Sequence, residues 1–183
     1  MNIILASNSP RRKELLKLLY DDFSVIPANI DETIPNGISI EKSAEYVATK
    51  KAQFVADKNH DSLVIGCDTM VIINDTILGK PKSKSNCFDM LKQLSGKEHS
   101  VITGVSVILG DKKVSFSEET KVKFHNLLDS EILDYINTGE PFDKAGGYGI
   151  QGYGSLLVEK IVGDYFNVVG LPVSRLNQVL KNF

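Results

Sequence analysis

The sequence contains no tryptophan, and its 183 residues include only two cysteines and three histidines. Cys67 and Cys87 cannot form a disulfide framework, and neither lies in a CxxC pair or beside a histidine. Sulfur-held metal is excluded on the same ground, and both residues are expected as buried thiols in a reducing compartment. His60, His99 and His125 have no partner at ligand spacing, which removes histidine-based metal sites as well. No apolar run approaches the ~20 residues of a membrane helix, and the uncharged, strand-like opening is too short for a secretory signal. The net charge is only −2, so the chain as a whole exerts no pull on nucleic acid or an anionic membrane. There is no GxxxxGK[ST] loop, and no nucleophile elbow surrounds any serine. Internal repeats and low-complexity segments are absent too. These absences predict a cytoplasmic protein that binds neither nucleic acid nor membrane. Any anionic ligand must be held by a local cluster of cations.

What is present is ordinary in amount: 42% hydrophobic and 24% charged residues. A chain of this size buries roughly 70% of its unfolded surface and needs no staples. The reading is one domain over residues 1–183, built as two lobes with a central cleft. Strands are expected at 3–6, 23–26, 63–66, 70–73, 76–78, 100–109, 113–124 and 156–161. Helices are expected at 10–20, 41–56, 85–94, 129–137 and 173–180, and a glycine-rich loop at 146–154. The central strand pairs read as hairpins. The fold class is therefore α/β, with a mixed, partly antiparallel sheet flanked by helices.

Three groups of residues stand out. Ser9 and Pro10 suit the start of a helix, yet Arg11, Arg12 and Lys13 follow in its first turn. Cations there oppose the helix dipole by about 0.3–1 kcal/mol each. A bound anion would remove that conflict; a solvated basic turn is the other explanation. At about 100° per residue, Arg11 and Arg12 lie toward the side of Leu15, Leu18 and Leu19, and Lys13 faces away. On the 41–56 helix, Lys51 sits within the apolar face of Ala44, Val47, Ala48 and Val55, with Lys50 at its edge. Such a lysine either snorkels to water or points into a polar cleft. Finally, the apolar 63–67 run ends in Asp68, and the following hairpin returns through Gly79 and Lys80, bringing Lys80 near Asp68. Asp68 with Glu32 would offer carboxylates to magnesium, and Arg11, Arg12, Lys51 and Lys80 would hold phosphates. A structural Asp68–Lys80 ion pair is the competing explanation.

The ordered set of local sequences resembles the Maf family of nucleotide pyrophosphatases over nearly the whole chain. It runs from Leu5-Ala6-Ser7-Asn8-Ser9-Pro10-Arg11-Arg12 through Asp31-Glu32, Lys51-Ala52, Gly66-Cys67-Asp68-Thr69 and Gly79-Lys80-Pro81. It continues with Leu94-Ser95-Gly96, Thr103-Gly104-Val105, Thr138-Gly139-Glu140-Pro141 and Asp143-Lys144-Ala145-Gly146. Gly149-Ile150-Gln151-Gly152 and the stretch Gly163-Asp164-Tyr165 to Leu171-Pro172 complete it, in versions similar to the branch acting on dTTP and UTP. The resemblance implies a fold like that of inosine triphosphate pyrophosphatases and cleavage of a nucleoside triphosphate to monophosphate and pyrophosphate. It implies Asp68 as proton acceptor for the attacking water, aided by a divalent cation, Mg2+ or Mn2+, held by Glu32 and Asp68. Ser9 joins the four cations as a phosphate ligand, and Arg12, Thr69 and Gln151 match positions used for substrate choice. A homodimer, a house-cleaning role and a role in arresting cell division through a protein partner stay open. So does a non-catalytic nucleotide sensor with the same cationic residues.

Overall fold

In β1 (Asn2–Leu5), Ile3, Ile4 and Leu5 are all buried. A strand covered on both faces belongs in parallel pairings. In the computed structural model, which describes residues 2–183, β1 indeed runs parallel to β2 (Ser24–Val25) and to β3 (Ser62–Ile73). The connections between these strands are crossovers, carrying α1 (Pro10–Leu16) and α2 (Ile40–Ala56). Hairpin pairing holds elsewhere. β4 (Thr76–Leu78) lies antiparallel to β3, and β7 (Val158–Val162) antiparallel to β6 (Lys112–Phe124). With β5 (Glu98–Leu109) the strands form one 7-stranded sheet in the order β2-β1-β3-β5-β6-β7, and β4 adds to β3. The mixed α/β class read from sequence is therefore present.

The chain divides into two compact units. The first comprises the chain through Thr69, Thr103–Glu118 and Gly170–Phe183; the second comprises Met70–Ile102 and Glu119–Val169. In the first unit, α2 turns Ala44, Val47, Ala48, Lys51, Ala52 and Val55 inward. Its backbone lies directly on the strands. A Cβ on Gly66 would come within 2.4 Å of the Ala48 carbonyl, and one on Gly104 within 2.2 Å of the Ala44 carbonyl carbon. Only glycine permits so close an approach. α6 (Val173–Leu180) ends this unit, burying Val173 and Leu176.

The second unit packs α3 (Lys84–Leu94) and α4 (Asp129–Asn137) around Val71, Leu91, Leu94, Phe124, Ile132 and Ile136. Both helices start on sequence-coded caps. The Ser83 hydroxyl accepts from the Asn86 N–H at 3.0 Å, and the Glu131 carboxylate accepts from the Leu128 N–H at 2.7 Å. The β3–β4 turn places Asn74 and Asp75 at φ 48° and 55°, as a two-residue hairpin loop requires. His99 is enclosed by Phe124 and Tyr148, both edge-on to its ring. Burial pushes its imidazole down from 6.5 to about 4.

Three expectations are corrected. β3 is one strand of 12 residues, not two, so Asp68 stands within it rather than at its end. Pairing to β1 on one stretch and β4 on the next keeps the backbone extended through the polar pair Asp68-Thr69. α1 stops at Leu16, and Leu18 is 63% exposed. The buried face of α1 is Leu15 and Leu16, because a helix this short anchors through adjacent leucines at one end. The glycine-rich loop contains short 3-10 turns at Ala145–Gly147 and Gly152–Leu157, after another at Glu140–Asp143; α5 (Tyr165–Val169) follows β7. None is long enough to show a periodic pattern.

Candidate active site

The lysine in the apolar face of α2 does not snorkel. Lys51 Nζ lies 2.7 Å from Asp68 Oδ1 and 2.8 Å from Glu32 Oε1. The Lys51 and Asp68 side chains are 11% and 13% exposed, whereas Glu32 is 55% exposed. One ammonium thus draws together a carboxylate on a central strand and another on the 27–39 loop. Asp68 Oδ2 has no partner among the described residues, leaving one oxygen of the carboxylate open to water. The lysine that meets Asp68 is Lys51, not the Lys80 expected from the hairpin.

Two members of the cluster, Lys51 and Glu32, have a sequence neighbour of like charge, and the structure separates each pair. Lys50 Nζ donates instead to the Asp31 carbonyl at 2.6 Å. Asp31 accepts from the Thr33 hydroxyl and N–H at 2.6 and 2.9 Å, bonds that hold its carboxyl below the usual range although it is exposed. Asp31 is the acid of a local turn, and Glu32 is the acid that reaches Lys51.

Arg12 organises the neighbouring stretch. Its Nε donates to the Gly170 carbonyl (2.9 Å), Nη1 to Ser7 Oγ (3.1 Å) and to the Cys67 carbonyl (3.0 Å), and Nη2 to Thr69 Oγ1 (2.9 Å). These bonds use four of the five N–H groups of a guanidinium. The residues on either side of Asp68 are therefore both tied to α1. Thr69 Oγ1 is also hydrogen-bonded to Thr103 Oγ1 at 2.9 Å, and Thr103 is fully buried. Ser9 caps α1, accepting from the Arg12 N–H at 3.4 Å. Arg11 is half-buried on the same turn, and Lys13 Nζ reaches Asn8 Oδ1 at 3.0 Å. Cys67 is fully buried beside this network, and desolvation pushes its thiol up to about 11.

Lys80 and Gln151 belong to the second unit. The β4 ladder ends at Leu78, paired with Val71, and Lys80 follows two residues on, exposed. Gln151 is exposed immediately before the Gly152–Leu157 turn, and its amide has no partner among the described residues. The first unit thus brings together Ser9, Arg12 and Thr69, and separately Glu32, Lys51 and Asp68. Sequence reasoning assigned no role to Ser7 or Thr103, although both lie inside quoted motifs. A buried hydroxyl gives no periodicity signal by which to find it.

Among the described residues, no group of three or more His, Cys, Asp and Glu side chains is arranged to hold a metal. The two carboxylates that meet at Lys51 are the donor set on offer. That set fits a hard cation such as magnesium, which takes one or two carboxylates and completes its shell with phosphate oxygens and water. No helix among the described residues is long and apolar enough to cross a membrane.

The fold is that of a mixed α/β protein with a carboxylate–ammonium cluster in its first unit. A HAM1 protein from Coxiella burnetii superposes with a TM-score of 0.53 over 100% of both chains at 13% identity, a likeness of fold alone. The profile described as Maf-like protein matches residues 2–183. A protein of Clostridioides difficile (strain 630) named dTTP/UTP pyrophosphatase is 52% identical over 185 residues, covering 100% of this chain and 95% of that one. Another of that name from Thermosipho africanus (strain TCF52B) is 55% identical over 181 residues, covering 98% and 92%. The chain belongs to the Maf family.

Proposed function

We propose that this chain hydrolyses dTTP and UTP, water attacking the α-phosphorus and pyrophosphate leaving, to give the nucleoside monophosphate. The observation that carries the reading is the half-occupied Asp68 carboxylate: Lys51 holds Oδ1, and Oδ2 is free to accept a proton from water. Full-length likeness to relatives named for this reaction supports the substrate class.

Asp68 is the general base. Lys51 fixes its orientation, and Glu32 leaves the cluster one negative charge in excess, which a divalent cation would offset. Lys51 and Lys80 neutralise the triphosphate together with Arg11 and the one N–H that Arg12 has left. Ser9 contributes its hydroxyl. When bound by Asp68, Glu32 and phosphate oxygens, Mg2+ or Mn2+ would withdraw charge from the reacting phosphoryl group. Thr69 and Arg12 act on substrate choice as one unit, since they share a hydrogen bond. Gln151 offers an amide donor and acceptor to the N3–H and carbonyl edge of thymine or uracil. A site built for that edge discriminates against bases that leave its polar groups unpaired.

The test is pyrophosphate release from a panel of nucleoside triphosphates with magnesium or manganese, comparing the native chain with Asp68→Asn. The expected result is release from dTTP and UTP, with kcat in the variant lower by about 10²–10⁴-fold. The fold should persist, because Lys51 retains Glu32 as counter-charge. A fully active Asp68→Asn protein refutes the assignment. Tight nucleotide binding without release from any member of the panel identifies a sensor instead.

A further inference from the structure

The stretch 149–154 carries Gln151, and one carboxylate holds its far end directly and its near end through a phenol. Glu140 Oε1 accepts from Tyr135 Oη at 3.1 Å and from the Gly154 N–H at 3.0 Å. Glu140 Oε2 accepts from the Tyr153 N–H at 2.9 Å. Tyr135 Oη in turn accepts from the Gly149 N–H at 3.2 Å, so the beginning of the stretch is tied to the same pair. Desolvation pushes the Tyr135 phenol upward, which keeps it protonated and donating. The backbone of Glu140 is itself held, its carbonyl accepting from Lys144 Nζ at 2.6 Å.

The wrap leaves no room for side chains. Gly152 has φ 70°, and a Cβ there would lie 2.6 Å from Glu140 Oε2. A Cβ on Gly154 would lie 2.2 Å from the Gly149 carbonyl. Hydrogen bonds from N–H groups to a carboxylate are roughly twice as strong as neutral ones. A single acid therefore fixes a segment with almost no packing of its own: Gln151, Gly152 and Tyr153 are all exposed.

We propose that Glu140 is a positioning residue for base selection, anchoring the 149–154 stretch so that the Gln151 amide is presented in one place. This rests on the reading of Gln151 as the group that meets the base edge. Glu140 touches no substrate and acts through Gln151. Glutamine at position 140 would offer one accepting oxygen in place of two and would turn an NH2 group toward backbone N–H donors.

The experiment compares Glu140→Gln, Gln151→Ala and the double variant with the native chain. It reads amide hydrogen exchange at Tyr153 and Gly154, and kcat/KM for dTTP relative to dGTP. Glu140→Gln should speed exchange at both amides and lower the dTTP preference roughly tenfold, through KM more than kcat, as expected for loss of a charge-assisted contact. The double variant should be no less selective than Gln151→Ala alone. Retained preference in Glu140→Gln, while Gln151→Ala loses it, overturns the proposal and leaves the base reading standing. Unchanged preference in Gln151→Ala overturns both, and that variant alone tells the two failures apart. Should Glu140→Gln not fold, Tyr135→Phe keeps the ring and removes the hydroxyl that donates to Glu140 and accepts from the Gly149 N–H. A smaller loss of preference in the same direction supports the proposal, and no loss overturns it.

Discussion

The two units order their functional stretches by opposite means. In the first, charged side chains neutralise one another: Lys51 between Asp68 and Glu32, and Arg12 among carbonyls and hydroxyls. In the second, a carboxylate collects backbone N–H groups, and aromatic rings enclose an imidazole that has been stripped of water. The first arrangement fails when a charge is removed. The second fails when backbone geometry is lost or when a proton is gained.

Lys51→Met breaks the first arrangement most severely. It leaves Asp68 without its counter-charge in a site 13% exposed, and removing one member of a buried pair costs about 3–5 kcal/mol. Denaturant unfolding should show that loss in the midpoint with an unchanged slope. A shift of under about 1 kcal/mol would mean that water reaches Asp68 freely.

His99 probes the second arrangement through pH. Its folded value lies near 4 and its ordinary value is 6.5, so the unfolded chain takes up the proton first as pH falls. The associated stability is complete above about pH 6.5 and is lost between there and about pH 4, by roughly 3 kcal/mol in all. Its Nδ1 has no partner among the described residues, and Nε2 meets Tyr148 Oη at 2.8 Å. His99→Gln can still reach the phenol but cannot titrate. Melting temperatures of that variant should be flat across the interval where the native chain declines; a parallel decline would place the titrating group elsewhere.

Lys50→Met sharpens the contrast by doing little. Lys50 is next to Lys51 in sequence but, among the described residues, meets the Asp31 carbonyl and the Tyr46 ring. Its loss should change stability within about 0.5 kcal/mol and leave pyrophosphate release at the native rate. A large loss of activity would show that the two lysines share a role.

Much of this was legible in the chain. The boundaries of α4 and α6 match the reading, α4 being ended by Gly139-Glu140-Pro141 and α6 starting directly after Pro172, and Lys51 was conspicuous as a charge among alanines and valines. The placement of Asp68 was half legible: the strand before it was clear, but its continuation past a polar pair depends on which strands flank it. Glu32 was expected at the site in preference to Asp31, but the physical reason for that choice was not legible. It turns on a three-residue hydrogen-bonded turn at Asp31–Thr33, whose residues satisfy the same local pattern either way. Glu140 was hidden for a similar reason, since its partners are backbone groups, and any sequence supplies those.

Gly66 and Gly104 set the level at which α2 rests on the sheet, and so how far the Lys51 ammonium extends. A methyl group at either position would lift the helix and withdraw the charge from Asp68 while every charged residue stayed in place. Selection for activity would therefore guard these two glycines as strictly as the acid itself. A variant survey scored by turnover alone would rank them with the reacting groups, though neither touches an atom that reacts.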